Sequence, residues 1–465
     1  MGEGRHVPRP ERVVAMLTLA LLNVFLVAAA LAVVKLTPDR SLAVRPPTVA
    51  DRAIVTGAAP ALAPTAATAP LPAAGSLTSR LDGLMRAAGM GSDLTGTVID
   101  VSTGRALYTS NSDKPAVPAS TTKLTTSTAV LAAVGPDHRI TTKVVKGGGG
   151  VILVGGGDPT LTRTAAKNAY PRPASLADLA KQTAAALKAA GTRRVRVDYD
   201  LSLYEGAQMG PGWKSNYVSE GDVSPVYALE VDEGRVAPAS HQRVANPPRI
   251  AVDAFVKLLK KQGVSATVGG STTAPQGAQQ LGAVQSPPIS ALVEELLTRS
   301  DNDIAEAMAR QVALARHRPA SFSGGAAAVR ETLTRLGVGT GVATVDGSGL
   351  SPNNRITPNG LARILVAAAS PSHPELASVM SGMPIGGFSG TLANRYRTGP
   401  SATGMGLVRG KTGTLNGVNT LAGVVYDADG RLLAFAFMAN NVKDVTAALA
   451  SLDRLAGSLA TCGCH

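Results

Sequence analysis

Ser120-Thr121-Thr122-Lys123, then Ser300-Asp301-Asn302, then Lys411-Thr412-Gly413-Thr414: these stretches, in this order, decide how the chain folds. Pro118-Ala119 stands ahead of the first, and an Ala-, Val- and Leu-rich run ending at Gly135-Pro136 follows it. That pattern predicts a helix from Ser120 to about Val134. Residues i and i+3 of a helix share a face, which would set Ser120 beside Lys123. A serine hydroxyl is a poor nucleophile without a base. A lysine one turn away can be that base when burial and neighbouring cations lower its pKa. The helix N-terminus adds positive potential that favours neutral lysine and steadies an oxyanion. Alone, Ser-x-x-Lys is common by chance.

The second stretch lies between two amphipathic patterns. Ile289, Leu292, Val293 and Leu296 share one helical face, as do Ile304, Ala307, Met308 and Val312. Ser300-Asp301-Asn302 therefore falls on a helix–helix junction. Ser300 could relay a proton to a leaving amine, and Asn302 could donate its amide to a substrate carbonyl. Helix capping explains the same residue types, because Ser, Asp and Asn are all favoured N-caps.

The third stretch belongs to a run of predicted strands, Leu407–Lys411, Val418–Tyr426 and Leu432–Met438, with Asp427-Ala-Asp-Gly430 as the hairpin turn of the last pair. On an edge strand, Gly413 would let a peptide pair with the backbone. Lys411, Thr412 and Thr414 would grip a terminal carboxylate. Gly410-Lys411-Thr412 also looks like the end of a nucleotide-binding loop, but that loop needs glycine where Met405 stands.

Residues 140–286 separate the first and second motifs and read as an inserted β-rich module. Ile140–Val145, Val151–Val154 and Arg194–Asp198 have strand character, and helices are predicted near Leu176–Ala189 and Ile250–Lys261. Gly147–Gly150 and Gly155-Gly-Gly-Asp158-Pro159 lack the strand–turn–helix context of a phosphate loop and read as turns. On either side, residues 76–139 and 287–456 would form one domain. It opens with a helix carrying Leu77, Leu81, Leu84 and Met85, then a hairpin of Gly96–Val101 and Ala106–Thr109, and closes with a helix over Val442–Leu455. The remainder is an N-terminal segment, 1–40, an Ala/Pro/Thr-rich tether, 41–75, and a tail, 457–465.

The chain has 465 residues, a hydrophobic content of 45% and an aromatic content of 3%, so its cores must rest on Ala, Val and Leu. Its formal charge of +13 is spread along the sequence, with one tryptophan. Nucleic-acid binding would need a basic stripe and stacking aromatics, so that class is set aside. Val13–Val34 is an uncharged run of 22 residues preceded by Arg5, Arg9 and Arg12. It is long enough to span a bilayer and longer than the usual core of a cleaved signal. An anchor with a cytoplasmic N-terminus is favoured, with cleavage at Ala30-Leu31-Ala32 as the other reading. Both send the rest of the chain outside the cytoplasm. Cys462 and Cys464 supply no disulfide framework, and with His465 they make an incomplete metal site. They read as a frayed tail with at most a local disulfide.

Together, Ser-x-x-Lys, Ser-Asp-Asn and Lys-Thr-Gly in this order resemble the penicillin-binding-protein and serine β-lactamase superfamily across Ser76–Leu455. Leu153-Val-Gly-Gly-Gly-Asp-Pro-Thr-Leu161, Asp346-Gly-Ser-Gly-Leu-Ser351, Gly390-Thr-Leu392 and the long insert are similar to peptidase family S13. That group comprises the penicillin-binding-protein-4-like D-alanyl-D-alanine carboxypeptidases and endopeptidases. The resemblance implies an α/β (α+β) transpeptidase-like domain, an antiparallel sheet flanked by helices. It implies an acyl-enzyme on Ser120 with Lys123 as base, and a relay and clamp from Ser300 and Asn302. Lys411 and Thr412 would hold the substrate carboxylate, and the backbone N–H groups of Ser120 and Thr414 would form the oxyanion hole. Asp222, with Tyr227 nearby, would meet the amine of a dibasic stem-peptide side chain. Expected partners are peptidoglycan stem peptides, β-lactams and, through the N-terminal segment, a membrane. No metal or organic cofactor is implied. A β-lactamase and a non-catalytic wall-binding protein of the same fold remain the alternatives.

Overall fold

Leu77, Leu81 and Met85 recur one turn apart and bury one face of α1 (Ala74–Met85). The computed structural model describes residues 69–464 except Ala88, Lys167, Asn168, Pro238 and Ala239. The apolar run Val13–Val34 and the tether up to residue 68 lie outside the described residues. Among the described residues no helix is long and apolar enough to cross a membrane.

After α1 come β1 (Asp93–Asp100), β2 (Ala106–Ser110) and α2 (Thr122–Val134). Next are β3 (Arg139–Gly147), β4 (Gly150–Val154), α3 (Leu176–Ala189), β5 (Arg194–Asp200), the single turn α4 (Tyr217–Glu220), α5 (Pro247–Lys261), β6 (Ser265–Ser271) and β7 (Gln280–Pro288). There follow α6 (Ile289–Arg299), α7 (Asn302–Ala315), α8 (Phe322–Arg335), the short strands β8 (Val342–Ala343) and β9 (Arg355–Ile356), α9 (Pro358–Ala369) and α10 (Ala377–Gly382). The chain closes with β10 (Arg409–Leu415), β11 (Val418–Tyr426), β12 (Leu432–Asn440) and α11 (Val445–Ala460).

The main sheet is five-stranded and antiparallel, in the order β10-β11-β12-β1-β2. It joins the two ends of the described chain, since β1 pairs with β12 from Asp93↔Asn440 to Asp100↔Leu433. Successive side chains of a strand point to opposite faces. Along β12 this sends Phe435 and Phe437 into the layer of α1 and α11 with Leu77, Leu81, Leu452 and Leu455. Ala434, Ala436 and Met438 go the other way, into the core that includes Leu124, Leu292, Ile304 and Leu361 of α2, α6, α7 and α9. A strand buried on both faces reads as an unbroken apolar run. This is the α+β architecture of an antiparallel sheet flanked by helices.

A second five-stranded sheet, in the order β6-β5-β4-β3-β7, is formed within Arg139–Pro288. It is mixed: β3 pairs antiparallel with β4 and β7, whereas β4–β5 and β5–β6 are parallel. Parallel neighbours need crossover connections. Here α3 crosses from β4 to β5 and α5 from β5 to β6, and both bury apolar faces against this sheet. Strand-rich character therefore describes only part of this region. β6 and β7 escape the sequence pattern because Gly269-Gly270 and Gln280, Gln285, Pro287 and Pro288 break the alternation.

The two ends also differ from expectation. α11 runs to Ala460, and Cys462 is buried and disulfide-bonded to Cys464. The carbonyl of Cys464 accepts the Ala73 N–H. Arg431, ion-paired with buried Asp100, donates to the Ala69 carbonyl at 2.8 Å. The tail is thus packed rather than frayed, because Leu459, Ala460 and Cys462 complete the core around α11.

Candidate active site

Ser120 stands in a 3₁₀ turn, Ala119–Thr121, and α2 begins only at Thr122. The helix predicted from Ser120 onward therefore starts two residues later. Ala119 has φ +48°, a region unfavourable for a residue with a Cβ. Two glycines make room for this turn. A Cβ on Gly349 would lie 2.0 Å from the Ala119 carbonyl oxygen. A Cβ on Gly413 would lie 2.7 Å from that of Pro118 and 3.1 Å from Ala119 Cβ. The missing side chain of Gly413 thus admits the turn that carries Ser120, a role that the sequence did not show. Thr420 on β11 and Thr121 both donate to the Pro118 carbonyl, at 2.8 and 2.7 Å, and pin the turn from below.

Lys123, on the first turn of α2, is fully buried. Its Nζ donates to Ser120 Oγ at 3.1 Å, to Asn302 Oδ1 at 2.6 Å and to the Ser348 carbonyl at 2.7 Å. Desolvation pushes its pKa down to about 8, against the opposing pull of Asp301, Asp346, Glu306 and Asp303.

At the α6–α7 junction the capping and cleft-facing roles are divided among three residues. Ser300 takes the left-handed position that ends α6, at φ +60°. Asp301 is the N-cap of α7 and accepts the Ile304 N–H at 2.8 Å. Because Asp301 does the capping, Ser300 and Asn302 turn to the two lysines. Ser300 Oγ accepts from Lys411 Nζ at 2.8 Å, and Asn302 Oδ1 accepts from Lys123. Asp303 then ties the inserted region to this junction, accepting the Ser224 N–H at 2.7 Å and Arg243 Nη2 at 2.6 Å.

Lys411 lies on β10, at the edge of the main sheet, and is fully buried. Besides Ser300, its Nζ donates to the Thr412 carbonyl at 2.9 Å. Burial holds its pKa well below the ordinary lysine value, and the nearby Lys123 charge lowers it further. Thr412 Oγ1 donates to Thr391 Oγ1 at 2.9 Å, while Thr414 is exposed and its hydroxyl accepts from Asn419 at 3.3 Å.

Asp222 meets the site through its backbone: its carbonyl accepts Asn302 Nδ2 at 2.8 Å. Its carboxylate is exposed, and desolvation and then Glu220 raise its pKa. The main-chain part of this contact cannot be read from residue type. Ser348, Thr391 and Glu306 are also absent from the sequence reading of the site. Ser348 and Thr391 lie in segments whose likeness to the family carried no assigned role. Glu306 follows Asn302 by one helical turn, which was the available signal.

A serine in a strained turn, a buried lysine in contact with it, and a second buried lysine on the edge strand, all on this sheet, define the class of penicillin-recognising serine hydrolases. The chain matches the D-Ala-D-Ala carboxypeptidase 3 (S13) family over residues 77–243 and 237–461, and it belongs to that family. It is 36% identical to the carboxypeptidase Rv3627c of Mycobacterium tuberculosis, over 90% of this chain and 89% of that one. The carboxypeptidase DacB of Mycolicibacterium smegmatis gives the same identity and coverage. The crystal structure of penicillin binding protein 4 from Haemophilus influenzae shares the fold, with a TM-score of 0.69 at 23% identity, covering 84% of this chain and 99% of that one.

Proposed function

We propose that this serine-type D-alanyl-D-alanine carboxypeptidase acts on peptidoglycan stem peptides through an acyl-enzyme on Ser120, and that β-lactams acylate the same oxygen. The contact of Lys123 Nζ with Ser120 Oγ carries the reading. A neutral amine keeps two N–H groups and one lone pair. Asn302 Oδ1 and the Ser348 carbonyl take the two hydrogens, which leaves the lone pair for the serine proton.

Ser120 Oγ then bonds to the carbonyl carbon of the penultimate D-alanine as its proton passes to Lys123. The peptide C–N bond breaks, and the leaving amine takes up, through Ser300, the proton that Lys123 received, which makes the base neutral again. Water adds to the ester carbonyl as its proton goes to Lys123, and the ester C–O bond breaks as Lys123 returns that proton to Ser120 Oγ, releasing the shortened peptide. The backbone N–H groups of Ser120 and Thr414 receive the oxyanion. Lys411 and Thr412 hold the terminal carboxylate, and an arriving anion supplies the countercharge that buried Lys411 lacks. Gly413 supports the reading as the close-packing point between β10 and the nucleophile turn. Asp222 is assigned to the amine of the stem peptide's dibasic side chain, since its carboxylate is exposed while its backbone carbonyl accepts from Asn302.

The arginine-flanked run Val13–Val34 supports an envelope enzyme tethered by its N-terminus, with the catalytic domain outside the cytoplasm. The test is digestion of defined muropeptides. Release of D-alanine from a pentapeptide monomer is expected, abolished in Ser120→Ala. Cleavage of a cross-linked dimer would add endopeptidase activity. Intact monomer after long incubation with folded protein would refute the carboxypeptidase reading.

A further inference from the structure

Two of the oxygens that hold Lys123 depend on one helix, α7. Asn302 Oδ1 on its first turn is a direct acceptor. One turn further along is Glu306, fully buried. Its Oε1 accepts the backbone N–H groups of Gly347 at 3.0 Å and Ser348 at 2.8 Å. The carbonyl of Ser348 is the other acceptor of Lys123, and the carbonyl of Gly347 accepts Thr126 Oγ1 from α2 at 2.7 Å. Glu306 Oε2 accepts from Arg310 Nη1 at 3.0 Å, and the Arg310 guanidinium stacks 3.9 Å from the Phe322 ring centroid.

A buried ion pair is weak evidence for stability, since an apolar pair of similar volume often serves as well. The backbone hydrogen bonds are specific, however: no apolar side chain can accept the Gly347 and Ser348 N–H groups. The loop also presses directly on α7, where a Cβ on Gly347 would lie 2.6 Å from the Ala305 carbonyl oxygen.

We propose that Glu306 is a positioning residue for acylation: its carboxylate fixes the Gly347–Ser348 backbone, whose carbonyl takes one hydrogen of Lys123 and so aims the lysine lone pair at Ser120. This rests on Lys123 being the base. The charge of Glu306 also bears on Lys123. Facing that lysine are Asp301, Asp303 and Glu306 from α7 and its cap, Asp346 from the 346–351 loop, and Lys411 from β10. Arg310 lies behind Glu306. Burial and then the Asp346 charge raise the Glu306 pKa, while its pairing with Arg310 and the two backbone N–H groups favour the ionised form. Removing that negative charge lowers the Lys123 pKa.

The test measures the rate of Ser120 acylation by a fluorescent penicillin between about pH 6 and pH 10 on the full chain. In Glu306→Met, which cannot accept the two N–H groups, the plateau rate falls on the order of 10- to 100-fold; in Glu306→Gln, whose amide oxygen still can, the acid limb moves to lower pH by on the order of one unit with a smaller loss of rate. In Thr126→Val, which loosens the same loop without changing charge, the rate falls and the midpoint stays. A purely structural role for Glu306 moves no midpoint. A wild-type plateau in folded Glu306→Met, or a wild-type midpoint in folded Glu306→Gln, would overturn the inference. Should neither variant fold, a wild-type rate in Thr126→Val overturns it, and a lowered rate at an unmoved midpoint supports it. If the wild-type protein acquires no label on Ser120, the reading of Lys123 as base fails instead.

Discussion

Lys123 and Lys411 are both fully buried, both have depressed pKa values, and each touches a serine hydroxyl. Their surroundings differ in charge. Around Lys123, the carboxylates Asp301, Asp346, Glu306 and Asp303 offset desolvation and keep the pKa near 8, where a lysine can both take and return a proton. Around Lys411 the charge acting on it is that of Lys123, which depresses it further. One pocket is balanced for proton transfer; the other is short of negative charge until a ligand brings it. Buried lysines are therefore distinguished by their counter-charges more than by their depth.

The comparison breaks first at Lys123. Lys123→Ala should reduce acylation by about 10²- to 10⁴-fold for every substrate, with or without a free carboxylate. Stopped-flow measurement with penicillin and a depsipeptide checks this, and normal kinetics would remove the base assignment. Lys411→Ala should be selective, weakening peptides with a free C-terminal carboxylate about 10- to 100-fold through KM. Amidated peptides should change little, and equal losses on both would erase the distinction.

The pH profile sharpens the same contrast. A lysine whose pKa has fallen from 10.5 to about 8 is protonated below that pH and cannot accept the serine proton. Acylation should rise with pH through about 8 and then level off. A limb centred near the ordinary lysine value would contradict the buried setting. Gly413→Ala tests the packing that sets the Lys411 strand against the turn carrying Ser120. Its Cβ would sit 2.2 Å from Thr420 Oγ1, so a loss of about 1–3 kcal/mol in thermal unfolding, with slower acylation, is expected. Thr414→Ala should have the smallest effect, within a few-fold in rate, because its proposed contribution is a backbone N–H that alanine retains.

Much of this was legible in the chain. Ser300-Asp301-Asn302 could be placed between two helices because the apolar periods on either side are clear. Ser120 and Lys123 could be paired by spacing, although the pairing is reached through a 3₁₀ turn and not one continuous helix. What escaped was carried by backbone. The Ser348 carbonyl and the Asp222 carbonyl have no residue-type signature, and Gly413 could not be known to face Pro118 before the sheet and the turn were brought together. β6 and β7 were missed for a related reason, since their glycines, glutamines and prolines are held in place by sheet partners rather than by apolar alternation.

The central claim is that Ser120 is the nucleophile. Intact-mass and peptide-mapping spectrometry of the penicillin-treated protein tests it most directly. One penicillin per chain, on the peptide containing Ser120 and absent from Ser120→Ala, is the predicted result; an adduct of equal occupancy in Ser120→Ala would contradict it.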